Sequence, residues 1–314
     1  MLTKLIFIPR NFDLYQKDSQ VVWAQYRFTV PDLERLRVSL HIPDFIVTEF
    51  RLRVPGMEAL CILLRRLSYP CRLIDLGEEF NRSKSEMSMI FKHMIEHVFN
   101  NFNNKLNTLN QPWINLDACA AAIAARGSPL PNCIGFIDGT LRPMAKPSEY
   151  QNACYNGHKR THGLKYQGVM LPNGIIGHMF GPIEGKRHDA FMLAESDILQ
   201  VMEHVGDYCL YGDQAYPNSP KLFAPFRGAA LTADEQAFND SMLPLRLSIE
   251  WGFGDIVRYF AHLDFKKNLK LMLQPIRKYF LVGTILGNCH ACVYGNHTST
   301  GFNLAPPTLE EYLA

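Results

Sequence analysis

Asp138, Asp213 and Glu250 are the residues of this 314-residue sequence whose settings point to chemistry. Asp138 closes the apolar run Cys133 to Ile137, and Asp213 follows Leu210, Tyr211 and Gly212, so each stands where the pattern predicts the end of a buried strand. Glu250 lies beside a helical stripe made by Leu245, Ile249, Phe253, Ile256 and Phe260. Neighbouring strands would bring the two aspartates to one place, where two like charges away from water stay ionised only around a cation. A hard ion such as Mg²⁺ takes oxygen ligands and keeps waters. Two such ions about 3.5 to 4 Å apart activate a water or a 3′-hydroxyl and steady the leaving oxygen of a phosphodiester. Taken singly, each acid also has a plain reading: Asp138-Gly139 as a turn, Asp213 as a cap, Glu250 as a solvated helix residue.

The elements that must position these acids follow from periodicity. Residues 1–50 mix short apolar runs with charges and show no clear period, so they read as an undefined lead-in. From Pro55 a helical pattern runs through Ala59, Leu60, Ile62, Leu63 and Leu67, and a short helix is expected from about Leu73 to Phe80. Ser83 with Glu86 forms a capping-box signature ahead of a stripe of Met87, Ile90, Phe91, Met94, Ile95 and Val98. Residues 51–110 therefore read as a helical region, compatible either with a helix-turn-helix or with a small bracing bundle. In the first case Arg82, Lys84, Ser85 and Lys92 would read bases or hold phosphates.

A second region, 130–300, begins with the strand that leads to Asp138. Leu164 to Leu171 and Ile175 to Phe180 flank Pro172-Asn173-Gly174 and predict a hairpin. Asp189 is expected to cap a helix with Phe191, Ile198, Leu199, Met202 and Val205 on its apolar face. A strand at Asp207 to Gly212 and a helix opened by Pro244 complete an α/β arrangement, a mixed sheet with flanking helices. Residues 301–314 form a tail.

Composition sets outer limits. Hydrophobic residues make up 47% and charged residues 20%, with a net charge of +2, which suits a globular chain whose electrostatic footprint is local. The run MLTKLIFIPR is too short in apolar residues for a secretory signal. The stretch Tyr279 to Tyr294 is too short for a membrane span and reads as a core helix. Eight cysteines lie scattered in apolar surroundings and read as core thiols, Cys289 and Cys292 included. Basic residues cluster near the acids: Lys146, then His158, Lys159, Arg160, His162 and Lys165, then Lys186, Arg187 and His188, with Arg258, Lys266, Lys267 and Lys270 further on. Such residues would hold DNA phosphates without reading bases; a solvated face is the alternative. His162 and Tyr166 read as hairpin surface, with contact to a scissile strand as the alternative, and Trp251 and Phe253 read as residues that pack their helix onto the sheet rather than stack on a flipped base.

The words GFIDGT (135–140), GPIEGKRHDAFMLAES (181–196), LYGDQAYP (210–217) and SIEWGFGDI (248–256) resemble the PIF/Harbinger group of DDE transposases and the nucleases derived from Harbinger transposases. The spacings, 75 residues from Asp138 to Asp213 and 37 from Asp213 to Glu250, are similar too. The resemblance spans roughly residues 50 to 300. It implies an RNase H-like catalytic domain preceded by a helix-turn-helix-like region, with Asp138, Asp213 and Glu250 as both catalytic and metal-binding triad. Two divalent ions, Mg²⁺ or Mn²⁺, would serve as cofactors for DNA cleavage, with strand transfer by the same chemistry. Candidate DNA contacts are Arg82, Lys84, Lys159, Arg160, Lys186, Arg187, Lys266 and Lys267. The resemblance further implies a separate Myb-like DNA-binding partner and work in the nucleus; a homo-oligomer is open as an expectation that the sequence does not decide. Competing expectations are a domesticated DNA-binding or scaffold protein without turnover, and a metal phosphohydrolase of small substrates.

Overall fold

The computed structural model describes residues 12–314, so the opening run MLTKLIFIPR lies outside the described residues. Two units divide the chain, Met1–His97 and Val98–Ala314.

In the first unit, the segment without clear period holds helices α1 (Ser19–Tyr26) and α2 (Val30–Ser39). With 8 and 10 residues they turn too few times for a stripe to stand out, yet Val22, Tyr26, Leu33 and Leu36 are buried. Asp18 caps α1 by accepting from the amides of Gln20 and Val21, and Thr29 caps α2. An antiparallel pair, β1 (Phe45–Val47) and β2 (Arg53–Pro55), leads to α3 (Gly56–Ser68), α4 (Leu73–Phe80) and α5 (Lys84–Phe102). The capping box forms as read: Ser83 N–H donates to Glu86 Oε2 at 2.8 Å and Glu86 N–H donates to Ser83 Oγ at 3.2 Å. Asn81 ends α4 in the left-handed region, at φ 52°. The Arg82 side chain is drawn into the unit, donating to both carboxylate oxygens of Glu58 at 2.6 and 3.0 Å. Lys84, Ser85 and Lys92 are exposed.

The second unit is built on a mixed sheet. After α6 (Leu116–Ala125) come β3 (Cys133–Pro143), α7 (Gln151–Cys154), β4 (Tyr155–Asn156), β5 (Thr161–Met170) and β6 (Ile176–Glu184). Then follow α8 (Asp189–Glu195), α9 (Ile198–Glu203), β7 (Cys209–Tyr211), β8 (Leu222–Phe223), α10 (Ala233–Tyr259), α11 (Ile276–Tyr294), α12 (His297–Phe302) and α13 (Leu309–Leu313). Across the sheet the order is β6, β5, β3, β7, β8, with β4 pairing the start of β5. β5 runs antiparallel to both β3 and β6, while β7 runs parallel to β3 and β8 parallel to β7.

Alternation along the strands sorts the two faces. Ile137 and Val169 join Ile134, Leu171, Ile198, Met202 and Leu210 in one cluster, into which α6 and α9 pack. On the opposite face Phe136 stacks on Phe302 of α12, and Phe253 of α10 lies over Gly168. The whole stripe read for α10 is buried, each of its side chains contributing about 2 kcal/mol of apolar burial.

The Asn173-Gly174 turn forms as the sequence predicts: Gly174, at φ 83°, donates to Leu171 O at 3.0 Å. Its carbonyl accepts from Asn296 Nδ2 at 2.8 Å, and a Cβ at Gly174 would meet Asn296 Oδ1 at 2.3 Å.

Several element boundaries differ from expectation. α10 starts at Ala233, not at Pro244, because Thr232 and Glu235 make a full capping box; Pro244 sits inside the helix. The single helix expected after Asp189 is two, since Ser196 lies in extended backbone between them with its hydroxyl bonded to Leu193 O and Gln167 Nε2. The Tyr279 to Tyr294 stretch forms most of α11, with Cys289 buried in it. Among the described residues no helix is long and apolar enough to cross a membrane.

Candidate active site

β3 continues past the acid that was expected to end it. Pairing with β5 carries the strand through to Pro143 and sets Asp138 opposite Gly168. On its other side β3 loses its partner earlier, since β7 stops at Tyr211, the residue paired with Phe136. Asp138 and Asp213 each lie two residues beyond that last rung of a parallel pair, so they emerge side by side where β7 has ended. Asp213 Oδ1 accepts from the Ala215 amide at 2.8 Å, which fixes the turn after the strand.

Glu250 reaches the same place from α10. Both acids line an open cleft of about 880 Å³ together with Asp213, Thr140, His158, Lys159, Lys165, Lys186, Arg187, His188, Asp189 and Arg246. Arg246, one helical turn before Glu250, lies between two of the acids: its Nη1 donates to Asp138 Oδ2 and its Nη2 to Glu250 Oε1, both at 2.8 Å. Arg246 was not among the residues expected at the site, although its position four residues before Glu250 on one helix face is a usable signal.

Asp138 is set in a difficult place for a charge. Its carboxyl is pushed up to about 6, first by burial, with Arg246 pulling the other way and Asp213 and Asp189 adding repulsion. Tyr216, buried beside this group of acids, has its hydroxyl raised well above the usual range by the same burial and by Asp189, Asp138 and Asp213. It donates to Gln167 Oε1 at 3.2 Å.

Asp189 is a fourth acid of the cleft, and its role differs from the cap expected of it. It is the first residue of α8, His188 takes the capping position, and no side chain caps the helix. Its Oδ1 instead accepts from Lys165 Nζ at 2.7 Å, and that ammonium also donates to Arg187 O at 3.0 Å. Lys165 is buried, so its charge is spent inside the cleft wall. Tyr166 is buried too, donating to the carbonyls of Ile276 and Arg277, which replaces the expected hairpin surface. Trp251 is exposed on α10 with an edge-on contact to His297, so Phe253 alone of that pair packs on the sheet.

The remaining basic residues divide. Lys159 and Lys186 are exposed at the cleft, and the Lys159 amide donates to Asn156 Oδ1, anchoring its loop. Arg187 pairs with Glu184 at 3.2 Å and lies over the Phe191 ring. Arg160 is exposed at φ 49° beside them, without lining the cleft. Lys266 and Lys267 are exposed on a short helical turn after α10. Arg82 and Lys84 belong to the first unit.

The donor chemistry of the cleft fits a hard divalent cation, since four carboxylates line it and the half-buried Asp138 is repelled by Asp213 and Asp189. The arrangement does not yet fit one: among the described residues no group of three or more acids, histidines or cysteines converges as a metal site. A guanidinium holds two of the acids instead. Neither the curated proteins nor the solved structures contain a match to the chain. Residues 137–288, from the position before Asp138 through Asp213, Glu250 and most of α11, match the model of the family described as DDE superfamily endonuclease.

Proposed function

We propose that the protein is a DNA endonuclease of the transposase kind, dependent on divalent metal, in which Asp138, Asp213 and Glu250 are the catalytic and metal-binding residues. The observation that carries this reading is the placement of Asp138 and Asp213 each two residues beyond the last rung of two parallel strands, inside a segment that matches endonucleases. When bound, Mg²⁺ or Mn²⁺ would supply the activated nucleophile and the charge that steadies a leaving oxygen. Lys159 and Lys186 face the cleft, where an approaching phosphate backbone would meet them.

The finer assignments belong to the same proposal. The strand order, in which a three-stranded antiparallel meander is extended by two parallel strands on the side of its first strand, supports an RNase H-like fold. The short α4 and the capped α5 of the first unit support a helix-turn-helix-like reading, with Lys84 exposed in the first turn of α5. The PIF/Harbinger subtype, strand transfer, a Myb-like partner and nuclear action rest on the motif resemblance. A second reading, a DNA-binding or scaffold protein without turnover, is favoured by one observation, the guanidinium between Asp138 and Glu250.

The test is nicking of supercoiled plasmid with Mg²⁺ or Mn²⁺ by the wild type and by Asp138→Asn, Asp213→Asn and Glu250→Gln. Wild-type nicking that vanishes with EDTA and in each variant is expected. Equal cutting by wild type and Asp138→Asn would remove the mechanism, and DNA binding without metal-dependent turnover would favour the second reading.

A further inference from the structure

We infer that Arg246 is a built-in counter-cation, which a divalent ion must displace from Asp138 and Glu250 before it binds; the inference rests on the metal-dependent reading above. Four carboxylates border this cleft, from Asp138, Asp189, Asp213 and Glu250. Asp189 has its own cation in Lys165, at 2.7 Å. Asp138, the most enclosed of the carboxylates that stand with Asp213, has Arg246 at 2.8 Å.

A guanidinium is a planar fork that suits two carboxylates at once, and here each of its two terminal nitrogens takes a different acid. With only 15% of its side chain exposed, the fork is held by the cleft wall and is not a wandering surface arginine. It hydrogen-bonds the same oxygens that a hard cation would coordinate at roughly 2.0 to 2.1 Å. Two cations sharing those oxygens would repel each other strongly in a setting poorer in water than bulk solvent. Occupancy by the ion and by Arg246 is therefore competitive.

The cleft also allows the exchange. Glu250 keeps 48% of its side chain exposed, so it can turn from the arginine toward an ion beside Asp138. The open volume of about 880 Å³ leaves room for the released guanidinium. In the metal-free state the arginine would bridge Asp138 and Glu250 and keep them close together, which keeps the site assembled and at the same time lowers its affinity for metal. By linkage, removing the arginine must raise that affinity, by a factor of about 10 for a coupling of ordinary size.

The test uses the full chain without DNA, titrated with Mn²⁺ by calorimetry and followed by thermal melting. Arg246→Gln should bind Mn²⁺ about 10-fold more tightly than the wild type. It should melt lower than the wild type in EDTA and gain more on addition of Mn²⁺, because stabilisation by a ligand grows with its affinity. Arg246→Lys, which keeps the charge but loses the fork, should lie between the two and covers the case in which the glutamine variant does not fold. A merely structural arginine would lower the melting temperature equally with and without Mn²⁺. Affinity equal to or weaker than wild type in both variants, while Asp138→Asn abolishes binding, overturns the competition and leaves the metal-dependent reading standing. Failure of the wild type to bind Mn²⁺, or binding unchanged in Asp138→Asn, overturns both.

Discussion

Asp189 lies directly on the backbone of Gly139: a Cβ built on that glycine would sit 2.3 Å from Asp189 Oδ1 and 2.9 Å from Met192 Cε. The strand that presents Asp138 to α10 on one side thus accepts the first turn of α8 on the other. The missing side chain at residue 139 is what lets four acids border one cleft.

Gly139→Ala should therefore push α8 outward and break the pair between Asp189 and Lys165. A destabilisation of about 1 to 3 kcal/mol is expected from urea unfolding, with loss of the proposed plasmid nicking. Gly157→Ala, also at the cleft but with nothing within 4 Å of the added carbon, should stay within about 0.5 kcal/mol. Equal effects of the two substitutions would refute the contact.

Asp138 imposes a pH dependence of definite sign. Its carboxyl titrates at about 6 in the folded chain and at 3.8 without that environment. Between those values the native state holds more protons than the unfolded one, so the contribution of Asp138 to stability falls as pH rises through this window. The loss totals about 3 kcal/mol and is complete above the folded value. In EDTA, the stability of the wild type minus that of Asp138→Asn should drop by about this amount from pH 3.5 to 7. A difference that stays flat with pH would show that burial does not penalise this charge. Since only the ionised acid suits a cation, Mn²⁺ affinity should also weaken below about pH 6.

Lys159 and Lys186 offer a test of the proposed DNA contacts at the cleft rim. If each neutralises one phosphate, the slope of log K against log salt should become shallower by about 1.8 in the Lys159→Ala, Lys186→Ala double variant. Filter binding or anisotropy at several salt concentrations reads this directly, with no metal present. An unchanged slope would assign both lysines to a solvated face.

Arg82 should act on stability more than on DNA. Its ion pair with Glu58 leaves 16% and 10% of the two side chains exposed, and Glu86 stands near at 3.5 Å. Arg82→Ala leaves the Glu58 carboxylate enclosed without its partner, for a cost of about 3 kcal/mol. Glu58→Ala should cost a similar amount, and the double variant less than the sum. Weakened DNA binding by Arg82→Ala at full stability would restore it as a direct contact.

Much of the secondary structure was written locally. The helix from Leu73 to Phe80 has the bounds read from its pattern. The Ser83–Glu86 capping box, the Asn173-Gly174 turn and the buried stripe of α10 likewise needed only neighbours a few residues away. Asp138 and Asp213 likewise stand out at the ends of apolar runs. Local signals failed where a distant strand or side chain decided the matter. β3 outlasts Asp138 because β5 pairs with it, and Asp189 turns from capping to Lys165 because α8 is laid against β3 and β5. Arg246 was hidden for the same reason, since its partner Asp138 lies 108 residues away in the chain. Periodicity and caps are short-range hydrogen bonding and hydrophobic spacing, so the sequence by itself determined them. Which charges meet depends on register and helix docking summed over the whole unit, so only the tertiary structure decided that an arginine stands between two of the acids.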